Sequence, residues 1–204
     1  MAQEQVRSPV PVFIFMGTCG CGKTTIAAAC KKIVNCELIE GDELHPQANV
    51  DKMSKDIGRS FAGIPLQDED RWSWLASIRD TFVQKASHLY EDPKVDENSP
   101  HRAVFVTCSA LRKAYRDILS AVNSAKVTVT FVYLKGSPEL LQSRMAGRSN
   151  HFMHENMLKS QLATLEEPDE STENVIVARI DPPTDVIAKN IVNAAKERKL
   201  IYID

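Results

Sequence analysis

Eight residues near the start of the chain, Gly17 to Thr24, read G-T-C-G-C-G-K-T and match the spacing G-x-x-x-x-G-K-T. An apolar run (Val10–Met16) precedes them, and an Ala-rich stretch (Thr24–Val34) follows. The run predicts a buried strand and the stretch predicts a helix, so the loop joins a strand to a helix N-terminus. Such a loop binds phosphate, because its N–H groups and the helix dipole face the anion. The alternative is a glycine-rich turn that carries a lysine by coincidence.

Two side chains of this loop suggest phosphoryl chemistry. Lys23 is a cation that can reach the β- and γ-phosphates of a nucleotide, and the hydroxyl of Thr24 can coordinate the accompanying Mg²⁺. No Asp ends the third predicted strand, where many P-loop proteins carry a magnesium-binding carboxylate. We therefore expect Thr24, water and either Glu40 or Asp42 to complete the Mg²⁺ shell.

Apolar runs alternate with helical patterns along the chain. The runs predict five strands: Val10–Met16, Glu37–Glu40, Ala103–Cys108, Val127–Leu134 and Asn174–Ile180. The patterns predict six helices: Thr24–Val34, Asp68–Leu89, Leu111–Val122, Pro138–Ala146, Glu155–Leu165 and Thr184–Arg198. Almost continuously apolar strands indicate a parallel sheet that is buried on both faces. We predict a three-layer α/β fold, with ligands at the carboxyl ends of the strands.

Length and charge limit the class of partner. At 204 residues the chain is expected to form one domain over 1–204, with a surface loop at 91–101. The net charge of −2, without a basic block, argues against nucleic acid. The N-terminus resembles neither a signal nor a transit peptide, and no apolar run approaches membrane-spanning length. A cytoplasmic protein without a membrane partner is the expectation.

Carboxylates follow the second predicted strand directly. Asp42 is well placed to orient an attacking hydroxyl and to accept its proton. The alternative is an ordinary turn, since Gly-Asp is a common turn pair.

Basic residues open two of the predicted helices. Arg71 follows the acidic trio 68–70 and can hold a substrate carboxylate bidentately, whereas the trio itself is typical of helix capping. Arg112 and Lys113 follow the third strand and can form an anion pocket, or they can simply face water.

Two further arginines, Arg144 and Arg148, lie four residues apart and share a helix face if the helix continues that far. Gly147 and the polar residues after it suggest a mobile lid at about 147–155. Such a lid excludes water and brings cationic charge to the transferring phosphoryl group. Surface ion pairs are the alternative role for these arginines.

The odd number of cysteines and the absence of a secretory signal favour free thiols: Cys19, Cys21, Cys30, Cys36 and Cys108. A zinc site is disfavoured because two of the five lie inside the phosphate loop. Lys23 and the helix dipole are expected to favour the thiolate of Cys21, so that mild oxidation inactivates the protein and bound ATP protects it. The alternative is a small residue that the loop tolerates.

The motifs together resemble the gluconate kinases of the small P-loop kinase type, which are relatives of shikimate and adenylate kinases. The resemblance extends from about Val12 to Ile191. Besides the loop it rests on G-D-x-L-H-P (Gly41–Pro46), N-V-x-K-M (Asn49–Met53), G-I-P-L (63–66), D-E-D-R-W (Asp68–Trp72), C-S-A-L-R-K-x-Y-R-D (Cys108–Asp117) and L-E-E-P (165–168).

The resemblance implies transfer of phosphate from ATP to D-gluconate with Mg²⁺, giving 6-phosphogluconate for the pentose phosphate route, by a homodimer. It implies catalytic roles for Lys23, Asp42 and the lid residue Arg148. The implied nucleotide-binding residues are Gly17, Thr18, Cys19, Gly20, Cys21, Gly22, Lys23, Thr24, Thr25, Arg144, Asp181 and Pro182. The implied substrate-binding residues are Asp42, His45, Arg71, Lys113 and Arg116.

The chain departs from the family pattern at two places. Residues 55–62 are inserted beside the substrate-binding helices, and Trp72-Ser73-Trp74 replaces the usual proline. Two other functions stay open: a kinase of the same fold that acts on another sugar acid or a nucleoside monophosphate, and a nucleotide-dependent regulatory protein with little turnover.

Overall fold

Five parallel strands form the centre of the fold. A computed structural model of the chain describes residues 7–47, 49, 51, 68–99, 101–122, 125–146 and 151–203, with the backbone alone for 151–155. The strands are β1 (Val10–Met16), β2 (Glu37–Glu40), β3 (Val104–Thr107), β4 (Val127–Lys135) and β5 (Val175–Arg179). Their order across the sheet is β2-β3-β1-β4-β5. The predicted α/β fold with a five-stranded parallel sheet is confirmed.

Helices cover both faces of this sheet. They are α1 (Lys23–Val34), α2 (Asp68–Glu91), α3 (Lys113–Ser120), α4 (Pro138–Ala146), α5 (His151–Thr164) and α6 (Thr184–Glu197), with a 3-10 turn at Gly41–Leu44. No helix in the described part of the chain combines the length and apolar character that crossing a membrane requires.

The core has two halves, one on each face of the sheet, because side chains alternate along each strand. Phe13 and Phe15 of β1 pack toward α1 and α6, whereas Val12 and Ile14 pack toward α2 and α3. All seven residues of β1 are buried. This central strand therefore anchors the loop that follows it.

The helix after β3 is shorter than predicted. It begins at Lys113 and not at Leu111, because Arg112 takes an extended backbone with φ −96° and ψ 150°. Ala110 has a positive φ of 43°, which turns the chain sharply between strand and helix. The polar residues after β3 are therefore presented by a loop and by the first turn of α3.

Gly41 lets the chain turn immediately after β2. A Cβ atom at this position would lie 2.2 Å from the carbonyl oxygen of Thr107 on the neighbouring strand. The backbone of the 3-10 turn therefore lies directly against the end of β3, at the edge of the sheet where the phosphate loop also begins.

Gly41→Ala is expected to lower the free energy of unfolding by about 1–3 kcal/mol, because the new methyl group collides with rigid backbone. Urea denaturation measures the change. Ser73→Ala, at an exposed position on α2, is the control and should change stability little. A loss no larger than that of the control would contradict the close approach.

Candidate functional site

The phosphate loop connects β1 to α1 with an open helix N-terminus. Gly22 precedes α1 with φ 91°, a conformation that favours glycine. Neither a capping side chain nor an acidic residue serves the first turn of this fully described helix. Its backbone N–H groups therefore point outward without side-chain partners, which is the arrangement that binds a phosphate.

Lys23 lies folded over this loop. Its Nζ donates hydrogen bonds to the carbonyl oxygens of Gly17 at 3.0 Å and Thr18 at 3.2 Å. The ammonium group is thus held at the loop by weak neutral acceptors, which a phosphate oxygen can replace with a charge-assisted bond.

Glu40 connects the phosphate loop to the neighbouring strands. Its Oε2 accepts hydrogen bonds from the hydroxyl of Thr24 at 3.0 Å and from that of Thr107 at 2.6 Å. Carboxylate and hydroxyl oxygens are the ligands that Mg²⁺ prefers, so the donor set fits this ion. The described residues contain no cluster of three or more His, Cys, Asp and Glu side chains that could enclose a metal. A magnesium ion here would therefore keep most of its water.

Asp42 lies in the 3-10 turn that follows β2, and Trp74 of α2 holds this turn in place. The indole Nε1 donates to the carbonyl oxygen of Gly41 at 2.7 Å. The same ring stacks on His45, with the ring centroids 4.1 Å apart and the planes 10° from parallel. Trp74 is buried. It fixes the position of the turn that carries the predicted catalytic carboxylate.

His45 is held as a neutral ring. Burial lowers its pKa, the charge of Arg71 lowers it further, and the charge of Asp42 opposes both effects. Its Nδ1 is buried and has no hydrogen-bond partner among the described residues. The ring can therefore donate or accept one more hydrogen bond near Asp42.

Asp68, the first residue of α2, contacts two arginines and a tyrosine through its carboxylate. Its carboxylate accepts hydrogen bonds from Tyr115 at 2.5 Å and from Arg112 at 2.6 Å, and Arg71 lies 3.4 Å away. The Tyr115 hydroxyl bond lowers the pKa of Asp68 most, and both arginines lower it further. With two cations and one anion, the cluster has a net charge of +1, which suits a monoanionic ligand.

Sequence reasoning identified Arg71 in this cluster and named Arg112 as a residue that can form an anion pocket, but it did not identify Asp68 or Tyr115 as site residues. The acidic trio is typical of a helix N-terminus, and capping was an adequate explanation for Asp68. One signal was available in the sequence, because Arg112 follows the third strand and an arginine near a ligand site needs an anionic partner. Lys113, also predicted, has an exposed side chain that pairs with Asp117 at 2.6 Å.

Arg116 requires a correction. It is 1 % exposed, and its Nε and Nη2 donate to the carboxylate of Glu173 at 2.6 and 2.9 Å. Its Nη1 donates to the carbonyl oxygen of Glu166 at 2.9 Å. Every nitrogen of the guanidinium is used inside the protein, so the predicted substrate contact does not fit. Arg116 instead fastens the segment after α5 to α3.

The structure brings other predicted nucleotide residues together around Arg144. Its Nη2 donates to the carbonyl oxygen of Ile180 at 2.7 Å, and its Nη1 lies 3.5 Å from the carbonyl oxygen of Cys21. Arg144 therefore joins the phosphate loop to the turn of Asp181 and Pro182. Arg148, residues 147–150 of the predicted lid and the insertion at 55–62 lie outside the described residues.

Cys21 also requires a correction, because it does not favour the thiolate. The side chain is fully buried, and burial raises its pKa more than the nearby charges of Lys23 and Arg144 lower it. Burial likewise raises the pKa of Cys108 to about 12. The loop cysteine packs in the core as a small apolar residue.

Comparison with known proteins finds relatives that match most of the chain. A sequence family described as AAA domain matches residues 12–168. A probable gluconokinase of Schizosaccharomyces pombe is 39% identical over 171 residues, which span 83% of this chain and 80% of that protein. The thermoresistant gluconokinase of Escherichia coli is 32% identical over 188 residues, spanning 92% and 95%. The crystal structure of a gluconokinase from Sinorhizobium meliloti 1021 is 31% identical, has a TM-score of 0.71 and covers 95% and 98%.

Glu173→Gln is expected to lower the free energy of unfolding at neutral pH by about 3 kcal/mol, because it leaves the buried charge of Arg116 without a counter-ion. Arg116 lowers the pKa of Glu173 in the folded protein. The ion pair therefore contributes fully above the unfolded-state pKa and is lost as the pH falls through the lowered value.

The stability difference between wild type and Glu173→Gln should consequently shrink below about pH 4. Urea denaturation at a series of pH values measures it. Glu170→Gln is the matched control, because Glu170 lies on the same segment, is exposed and is 3.7 Å from Arg198. A difference that stays constant down to pH 2 would contradict the assignment.

Peroxide at neutral pH is expected to inactivate wild type and Cys21→Ser at equal rates, since a buried neutral thiol reacts slowly. Residual nucleotide binding after timed exposure measures this. Cys19→Ser, which alters the partly exposed loop cysteine, is the comparison. Marked resistance of Cys21→Ser alone to peroxide would contradict this expectation and support a thiolate at Cys21.

Proposed function

The chain belongs to the gluconokinase family of P-loop kinases, and from this premise we propose that it transfers the γ-phosphoryl group of ATP to the terminal hydroxyl of D-gluconate, forming 6-phospho-D-gluconate. One observation supports the proposal most. Glu40 accepts hydrogen bonds from Thr24 of α1 and from Thr107 of β3, and the turn with Asp42 follows it directly. A phosphate site and a carboxylate suited to a hydroxyl acceptor thus share one edge of the sheet.

The phosphate loop supplies binding and charge in this proposal. The N–H groups at the start of α1 hold the phosphates, and Lys23 leaves its carbonyl acceptors for the β- and γ-phosphate oxygens. Arg144 also lies at the loop, with its Nη1 3.5 Å from the carbonyl oxygen of Cys21. Arg148 is proposed to add cationic charge at the transferring group, and the turn at Asp181 and Pro182 to lie near the adenine.

Asp42 acts on the acceptor. Its carboxylate orients the terminal hydroxyl of gluconate toward the γ-phosphorus and accepts the hydroxyl proton as the new P–O bond forms. Trp74 keeps the turn of Asp42 in place, so the carboxylate is positioned before the substrate binds. His45 offers a neutral ring for the polyol hydroxyls.

The cluster of Asp68, Arg71 and Arg112 is proposed to hold the substrate carboxylate. Asp68 orients both guanidinium groups and cancels one of their charges, so that the remaining charge matches the single carboxylate of gluconate. Lys113 adds a cation at the start of α3, directly after Arg112.

Magnesium is proposed as the cofactor, held by the hydroxyl of Thr24 and, through water, by Glu40. When bound, it neutralises charge on the β- and γ-phosphates.

We further propose that the chain works as one domain in a cytoplasmic homodimer, supplies the pentose phosphate route, and has neither nucleic acid nor membrane as a partner. The net charge of −2 supports the absence of nucleic acid.

Coupled ATP turnover on D-gluconate, shikimate, glucose and AMP tests the proposal. Wild type should turn over with gluconate alone. Asp42→Asn should lower kcat by about 10²–10⁴-fold, because the amide cannot accept the proton. Glu43→Gln is the matched control, since it removes a neighbouring exposed carboxylate of the same 3-10 turn and should leave kcat nearly unchanged.

Turnover with another acceptor would show that the protein is a kinase with a substrate other than gluconate. ATP binding without turnover on any acceptor would contradict the enzymatic function. Equal activity of Asp42→Asn and wild type on gluconate would contradict the role of Asp42 alone.

A further inference from the structure

A glutamine on α5 contacts the phosphate loop although the sequence analysis assigned it no role. The backbone N–H of Cys19 donates a hydrogen bond to Oε1 of Gln161 at 2.6 Å. The two residues are 142 positions apart in the chain, so the bond joins distant segments. Gln161 is half-buried and lies near the end of α5.

The N–H of Cys19, which forms this bond, is not one of the donors at the start of α1 that are proposed to bind phosphate. The phosphate-binding donors proposed above begin at α1, and the N–H of Cys21 turns back toward the carbonyl oxygen of Thr18 at 3.4 Å. Cys19 lies before both, at the tip of the loop. A neutral acceptor at Cys19 therefore fixes the tip while the N–H groups at the start of α1 stay available.

Two side chains of α4 also contact the loop. Met145 of α4 packs so closely against Gly20 that a Cβ at the glycine would lie 3.0 Å from the Met145 Cγ. Arg144 reaches toward the carbonyl oxygen of Cys21 on the following turn. The loop is thus supported by an apolar side chain, a cation and a glutamine.

Gln161 is itself firmly placed. Leu158, one turn earlier on α5, is buried in the core. After the helix, the N–H of Glu166 donates to the carbonyl oxygen of Leu111 at 2.9 Å, and the Glu166 carboxylate accepts from the N–H of Lys113 at 2.6 Å. The helix segment that carries Gln161 is therefore anchored on both sides of this residue, so its side chain can restrain the loop.

We propose that Gln161 is a positioning residue of the nucleotide site, which holds the tip of the phosphate loop in its binding conformation through the N–H of Cys19. The inference rests on the nucleotide half of the proposed function and not on gluconate. A loop with glycines at positions 17, 20 and 22 has many alternative conformations, so ordering it beforehand lowers the entropic cost of binding.

Gln161→Met tests the proposal, because methionine has a similar length and no acceptor oxygen. Mg·ATP binding is measured by calorimetry without gluconate. The loss of one hydrogen bond at an ordered loop should weaken binding by about fivefold to tenfold. The KM for ATP should rise by the same factor, while the KM for gluconate stays unchanged. A residue that only stabilised the fold would not produce this split.

Two further variants keep the test decisive. Ser160→Met introduces the same side chain at the neighbouring exposed position of α5 and should bind ATP like wild type. Gln161→Ala removes the acceptor with a smaller, strongly helix-forming residue and should weaken binding as Gln161→Met does. Melting temperatures without nucleotide show that each variant is folded.

Each result of this experiment either supports or overturns the proposal. Weaker ATP binding in both Gln161 variants, with Ser160→Met unchanged, supports the proposal. Binding equal to wild type overturns it. Tighter binding also overturns it, since the glutamine oxygen would then compete with a phosphate oxygen. Failure of wild type to bind ATP would overturn the nucleotide half of the proposed function, and the role of Gln161 with it.

Discussion

The site depends on one carboxylate at the end of β2. Glu40 accepts hydrogen bonds from Thr24 of α1 and from Thr107 of β3, and so it joins the phosphate-binding helix to two strands of the sheet. The next residue, Gly41, lies against the backbone of Thr107. Because the turn with Asp42 begins there, the distance between the phosphate loop and the proposed catalytic carboxylate is set by this junction.

Charge is arranged around the junction in two separate groups. Lys23 and Arg144 lie at the phosphate loop, whereas Arg71 and Arg112 lie at the starts of α2 and α3 and share Asp68. Asp42 and the neutral ring of His45 lie on the turn after β2. A substrate with a carboxylate at one end and a hydroxyl at the other suits this separation, because each end meets the group that complements it.

The sequence predicted the sheet, because long apolar strands and a phosphate loop leave few arrangements. It also predicted Lys23, Thr24 and Glu40 at one edge, since the phosphate loop follows β1 and Glu40 ends β2. It could not show which of two arginines, Arg112 or Arg116, is available to a substrate. Both are basic residues of one short segment, and only the fold reveals that Glu173 lies against Arg116 in the core. The roles of Trp74 and Gln161 were equally hidden, because both depend on contacts between distant segments.

The most direct test of this account is a crystal structure with gluconate and a non-hydrolysable ATP analogue. The account predicts the terminal hydroxyl of gluconate within hydrogen-bond distance of Asp42 and facing the γ-phosphate. It also predicts the gluconate carboxylate on Arg71 and Arg112. Gluconate bound in the reverse direction, or away from the turn after β2, would contradict it.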